Sequence, residues 1–161
     1  MKLKRLNVLL ADDDTDDCIF FKQALAELLV STHLIEVHDG EQLMQLLSSE
    51  GNELPDVLFL DLNMPRKNGF ECLSEIKLNP VLKQLPVIIF SASFEQDVVN
   101  RLHENGAQYF MRKPSEFSQF KKIIQQTITM VSENLPFGVE GDLTQPTKEK
   151  FVITVQGNLI G

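Results

Sequence analysis

Short apolar runs that each stop at a polar side chain constrain this chain more than any other feature. Leu6-Asn7-Val8-Leu9-Leu10-Ala11 stops at Asp12, Asp13 and Asp14, and Val57-Leu58-Phe59-Leu60 stops at Asp61. Val87-Ile88-Ile89-Phe90 stops at Ser91, and Ala107 to Met111 stops at Arg112, Lys113 and Pro114. Apolar runs of this length without polar alternation read as strands buried on both faces, which is how parallel sheets are built. Helical periodicity fills the intervals. Strands that alternate with helices in this way imply a parallel sheet with right-handed crossovers. The side chains just past such strands gather at the carboxyl edge of the sheet, where α/β folds bind ligands.

The expected architecture is a doubly wound α/β domain with a five-stranded parallel sheet in the flavodoxin-like order 2-1-3-4-5. That order sets the first and third strands side by side at the switch point. Strands are expected at about Leu6 to Ala11, Leu34 to His38, Val57 to Leu60, Val87 to Phe90 and Ala107 to Met111. The first helix is expected from Thr15 to near Val30, with Ile19, Phe20, Leu25, Leu28 and Leu29 as its apolar face. The second follows Asp39-Gly40 and carries Leu43, Met44, Leu46 and Leu47. The third spans Phe70 to Leu78, the fourth Glu95 to Asn105 with Gly106 ending it, and the fifth Ser115 to near Ser132. Helices one and five should cover one face, and helices two, three and four the other. Residues 1–132 form the domain, and 133–161 are an extension. In the extension, Asn134 to Lys150 reads as a linker and Phe151-Val152-Ile153-Thr154-Val155 as a short strand. An apolar strand seeks an open edge. Candidates are strand two or strand five of its own sheet, or the edge of a second molecule.

With 161 residues and 43% hydrophobic composition the chain can bury a full core. A net charge of -8 argues against nucleic-acid partners and anionic membrane surfaces. No apolar run approaches the roughly 20 residues of a membrane span. The basic start, Met1-Lys2-Leu3-Lys4-Arg5, leads into a run broken by aspartates, unlike a signal peptide. The expectation is a cytoplasmic protein with Cys18 and Cys72 reduced, on opposite faces of the sheet.

Two strands that deliver carboxylates to one edge suit a small hard cation such as Mg²⁺, which takes oxygen ligands and keeps several waters. Asp13 and Asp61 are the candidate direct ligands, with Asp12 acting through water and the Asn63 carbonyl as a further oxygen. Asp14, before Thr15, is expected to cap the first helix. Asp16 and Asp17 read as first-turn acids that complement the helix dipole. An EF-hand loop starting at Asp12 is excluded, because Asp17 stands where it needs Gly and Gln23 where it needs Glu. A dinucleotide fold is excluded by the acidic turn after the first strand. A carboxylate can accept a phosphoryl group covalently. Asp61, central on the edge, is the expected nucleophile, with Lys113 and Ser91 opposing the phosphoryl oxygens. Ser93 is the better candidate for capping the fourth helix.

In Leu10-Ala11-Asp12-Asp13-Asp14, Leu60-Asp61-Leu62-Asn63-Met64-Pro65 with Gly69, Phe90-Ser91-Ala92-Ser93 and Lys113-Pro114, the chain resembles the receiver domains of two-component response regulators, over about Leu6 to Val131. The resemblance implies that Asp61 accepts a phosphoryl group from a histidine kinase or phosphotransfer protein and that Asp12 and Asp13 hold Mg²⁺. It further implies that Ser91 is the switch hydroxyl, that Lys113 bonds the phosphoryl group, and that Phe110 turns inward as Ser91 moves. Asp61 to Gly69, with Ile76-Lys77-Leu78-Asn79-Pro80, is similar to the stand-alone receivers associated with bacterial phytochrome kinases. Phe110 stands where many members have Tyr. Output would then be by protein contact, with homodimers open through the C-terminal strand or the face of helix four, strand five and helix five. The protein would be a phosphoacceptor switch, not an enzyme acting on other substrates. The rival readings are a phosphorylation-independent interaction module and an aspartate-nucleophile phosphatase. The phosphatase is disfavoured because Asn63 stands where such enzymes carry a second acid.

Overall fold

The computed structural model describes residues 5–49, 51, 53–134 and 145–154. Six strands form one parallel sheet in the order β2-β1-β3-β4-β5-β6. They are β1 (Leu6–Ala11), β2 (Thr32–Val37), β3 (Val57–Asp61), β4 (Val87–Ser91), β5 (Tyr109–Arg112) and β6 (Val152–Ile153). The first five follow the expected order, and the tail adds the sixth. The apolar runs are where they are because every residue of β3 and β4 is buried. Their alternate side chains enter two separate apolar layers, Leu58, Leu60, Val87 and Ile89 on one face, Val57, Phe59, Ile88 and Phe90 on the other.

Helices α1 (Thr15–Ala26) and α5 (Phe117–Asn134) cover the second of these faces. Helices α2 (Gly40–Ser48), α3 (Gly69–Leu78) and α4 (Gln96–Glu104) cover the first. Cys18 and Cys72 lie in the two different layers as free thiols.

The first helix departs from expectation. It ends at Ala26, and its buried face is Cys18, Phe21, Ala24 and Leu25. Ile19 is 46% exposed and Leu29 is fully so. The spacing 18, 21, 25 is the stripe that faces the sheet. Ile19 falls off it, Leu29 lies beyond the end of the helix, and Phe20 lies at the margin of the stripe against Phe117 and Phe120.

Two glycines fix how the loops meet at the carboxyl edge. A Cβ on Gly40 would overlap the Lys67 carbonyl oxygen, so α2 starts hard against the β3–α3 loop. A Cβ on Gly69 would press on the Asp61 carbonyl oxygen, and the Gly69 amide donates to Leu62 O at 2.9 Å. Beside Gly69, Asn68 and Glu71 form a reciprocal capping box that starts α3. The loop after Asp61 is thereby closed back onto its own strand.

The C-terminal segment docks on its own chain. A short helix α6 (Lys148–Phe151) stands where a linker and the start of a strand were expected, and only Val152 and Ile153 pair. They lie beside Phe110 and Met111 of β5. Phe151 is buried against the His103 ring, centroids 4.9 Å apart. Gln145 Nε2 donates to the carbonyls of His103 and Ala107 at 2.8 and 2.7 Å, and Gln126 Nε2 to Thr154 O at 3.1 Å. Of the two edges open within the chain, β5 is the one used. Val155 lies outside the described residues.

Candidate functional site

Asp12 follows β1 and Asp61 ends β3, and both are buried. Asp13 is exposed, yet a carboxylate oxygen from each of Asp12, Asp13 and Asp61 lies within 4.8 Å of the others. Asp12 Oδ1 accepts the Asp14 amide at 2.9 Å, and Asp61 Oδ1 accepts the Asn63 amide at 3.4 Å. Asp14 caps α1 as expected, its carboxylate accepting the Asp17 amide at 3.1 Å.

Lys113 reaches this cluster from the end of β5. Its Nζ lies 2.6 Å from Asp17 Oδ2, 3.1 Å from Asp12 Oδ2 and 3.7 Å from Asp61 Oδ1, over the face of the Phe90 ring. The backbone amide of Lys113 donates to Ser91 O at 2.9 Å, which fixes the lysine to the end of β4. The Ser91 hydroxyl is fully buried and accepts the Ser93 amide at 3.2 Å.

Burial dominates the electrostatics. It pushes the Asp12 carboxyl from 3.8 up to about 7, against the attraction of Lys113 and the Asp14 amide. It pushes Asp61 up as well, again opposed by Lys113. For Lys113, burial works against the charged form, but Asp12, Asp61 and Asp17 outweigh it and the pKa is raised. The cluster is therefore a crowded set of acidic oxygens, partly shut off from water, with one carboxylate facing solvent. An oxygen-only donor set with a solvent-facing side fits a hard divalent cation, and added positive charge relieves the repulsion between the acids.

The structure brings Asp12, Asp13, Asp61, Ser91 and Lys113 to one edge and sets Asn63 beside them. Three expectations change. Asp17 is more than a first-turn acid, since it makes the shortest bond to Lys113. Ser93 does not cap α4: Glu95 occupies that position without a side-chain cap bond. Phe110 is already inside, in the same apolar layer as Phe151 and Val152, and packs edge-on to Phe94 with centroids 5.9 Å apart. The C-terminal segment that adds β6 beside β5 also brings Phe151 and Val152 into this layer. Phe94 was not singled out by the sequence. Its only signal there is an aromatic three residues after Ser91.

Residues 8–125 match the family described as the response regulator receiver domain, and the chain belongs to that family. Response regulator Rcp1 from Synechocystis sp. is 31% identical over 122 residues, which are 73% of this chain and 83% of Rcp1. Among solved structures, the Mn(2+)-bound form of Rcp1 superposes with a TM-score of 0.77 at 28% identity, covering 83% of this chain and 99% of Rcp1. The phosphorylated cyanobacterial phytochrome response regulator RcpA gives 0.73 at 30% identity, covering 77% and 91%. The narrower likeness to phytochrome-associated receivers is thus borne out, and the chain is a receiver of two-component signal transduction.

Proposed function

We propose that Asp61 is the phosphoryl acceptor of this receiver and that Asp12, Asp13, Asp61 and the Asn63 carbonyl hold Mg²⁺ for the reaction. The observation that carries this reading is the convergence of three carboxylates within 4.8 Å, beside the Lys113 ammonium. When bound, Mg²⁺ supplies positive charge that offsets the clustered carboxylates and the phosphoryl oxygens. An Asp61 Oδ attacks phosphorus, and the bond from phosphorus to the donor atom breaks, its electron pair leaving with the donor. Lys113 and the Ser91 hydroxyl then take phosphoryl oxygens. No group other than Asp61 is consumed, so the chain acts as a switch on its own carboxylate.

The Ser91 hydroxyl accepts the Ser93 amide, so a shift of Ser91 toward a new oxygen draws on the loop that carries Phe94, and Phe94 packs on Phe110. This gives the signal a path from Asp61 to β5 and to the face of α4, β5 and α5, across which α6 and β6 lie. The donor would be a histidine kinase or phosphotransfer protein, and the output a protein contact on that face, in the cytoplasm. A homodimer through the same face or through β6 belongs to this reading as a form of output. Among the described residues no helix is long and apolar enough to cross a membrane.

The test is intact mass after incubation with acetyl phosphate and Mg²⁺. The wild type should gain one phosphoryl group. Asp61→Asn, and the wild type without metal, should gain none. Equal gain by Asp61→Asn would refute the assignment.

A further inference from the structure

We propose that Asp17 is a positioning residue that holds the Lys113 ammonium away from Asp61 and so sets how readily the site takes a phosphoryl group. This rests on the reading of Asp61 as acceptor. The ammonium lies 2.6 Å from Asp17 but 3.7 Å from Asp61, so its shortest bond is to an acid that takes no part in the transfer. The pair is not a loose surface contact. The Lys113 side chain is 10% exposed and that of Asp17 16%, which removes most of the solvent screening that makes surface pairs weak.

Asp17 has no other task that requires this geometry. Its amide, not its carboxylate, completes the cap with Asp14. A first-turn acid serves the helix dipole equally well when it points into solvent. Instead its carboxylate bridges α1 to the end of β5. An ammonium has three donors. Here one is directed to Asp17 and one to Asp12. The third is left for Asp61, 3.7 Å away, and the pull of Asp17 keeps the ammonium from closing that gap onto a phosphoryl oxygen. The Asp17 charge also repels the incoming anion. Both effects have the same sign.

Beryllofluoride, which adds to a carboxylate as a phosphoryl mimic, tests this in the full chain at saturating Mg²⁺, with binding followed by NMR shifts. Asp17→Asn keeps the shape and removes the charge. It should bind beryllofluoride more tightly, by about tenfold, corresponding to ~1.4 kcal/mol, while its melting temperature falls because an ion pair is lost. Asp17→Glu should restore an affinity close to wild type. A merely structural Asp17 would lower melting temperature and affinity together. Weaker or unchanged binding by Asp17→Asn overturns the proposal, as does an Asp17→Glu that binds as tightly as Asp17→Asn. A wild type that binds no beryllofluoride with Mg²⁺ would instead remove the acceptor reading beneath it.

Discussion

Asp12 carries a stability signature of its own. Its carboxyl is raised from 3.8 to about 7, chiefly by burial. The folded protein thus keeps a proton there that the unfolded chain has already lost. This contribution is fully present below the unfolded value and is lost as pH rises through the folded one. Without metal, thermal stability should fall between about pH 4 and pH 7 more steeply in wild type than in Asp12→Asn. Added Mg²⁺ should offset the loss at neutral pH, by about 2.7 kcal/mol at one hundred times its dissociation constant. Identical pH profiles for wild type and Asp12→Asn would count against the burial argument. At Ser91, removal of the hydroxyl should leave phosphorylation possible but blunt the response of Phe94 and Phe110, read from their ring proton shifts. A Ser91→Ala that responds like wild type would break the proposed link from Ser91 to Phe110. Asp12, Asp61, Ser91 and Lys113 were legible because the end of an apolar run is a one-dimensional signal. Asp17 and Phe94 were not, because their roles depend on which other strand ends lie across from them.

Elements were legible in proportion to their burial. β1, β3 and β4 are buried almost throughout, and their bounds agree with the apolar runs to within one residue. The first helix differs from its apolar pattern for two reasons: Ile19 is surplus to its sheet-facing stripe, and the helix ends at Ala26, which leaves Leu29 outside it and exposed. The tail was misread in part because Phe151 looks like the first residue of a strand and instead closes a helical turn. Its burial gives a direct test. Phe151→Ala should cost up to about 3–5 kcal/mol in denaturant unfolding, and a chain ending at Asn134 should lose a similar amount. No loss in either variant would mean that the C-terminal segment does not pack on β5. At the other end of the sheet, Gly40→Ala should be destabilising by roughly 1–3 kcal/mol, because the added methyl meets the Lys67 carbonyl and not a side chain that can swing away. A neutral Gly40→Ala would show that α2 and the β3–α3 loop can separate freely.

For the molecule as a whole, the alternation of runs and helices was enough to give the order of five strands, because right-handed crossovers leave few alternatives. The sixth strand could not be placed in that way. It follows a stretch rich in Gly, Pro and polar residues, so sequence identified it as edge-seeking without choosing the edge. Its position matters for function. The β5 register that holds Phe110 opposite Val152 joins the C-terminal segment to the strand that ends beside Lys113. The acidic site, the Ser91 loop, β5 and the tail form one continuous packed path. Everything on that path depends on Asp61 being the modified residue. The most direct test is to phosphorylate the protein with acetyl phosphate and Mg²⁺, reduce it with borohydride, and map the peptides by mass. Borohydride converts an aspartyl phosphate to homoserine and leaves free aspartate unchanged. Homoserine at position 61, and at neither Asp12 nor Asp13, is the predicted result. Homoserine at another aspartate, or an acid-stable phosphate on a hydroxyl side chain, would contradict the account.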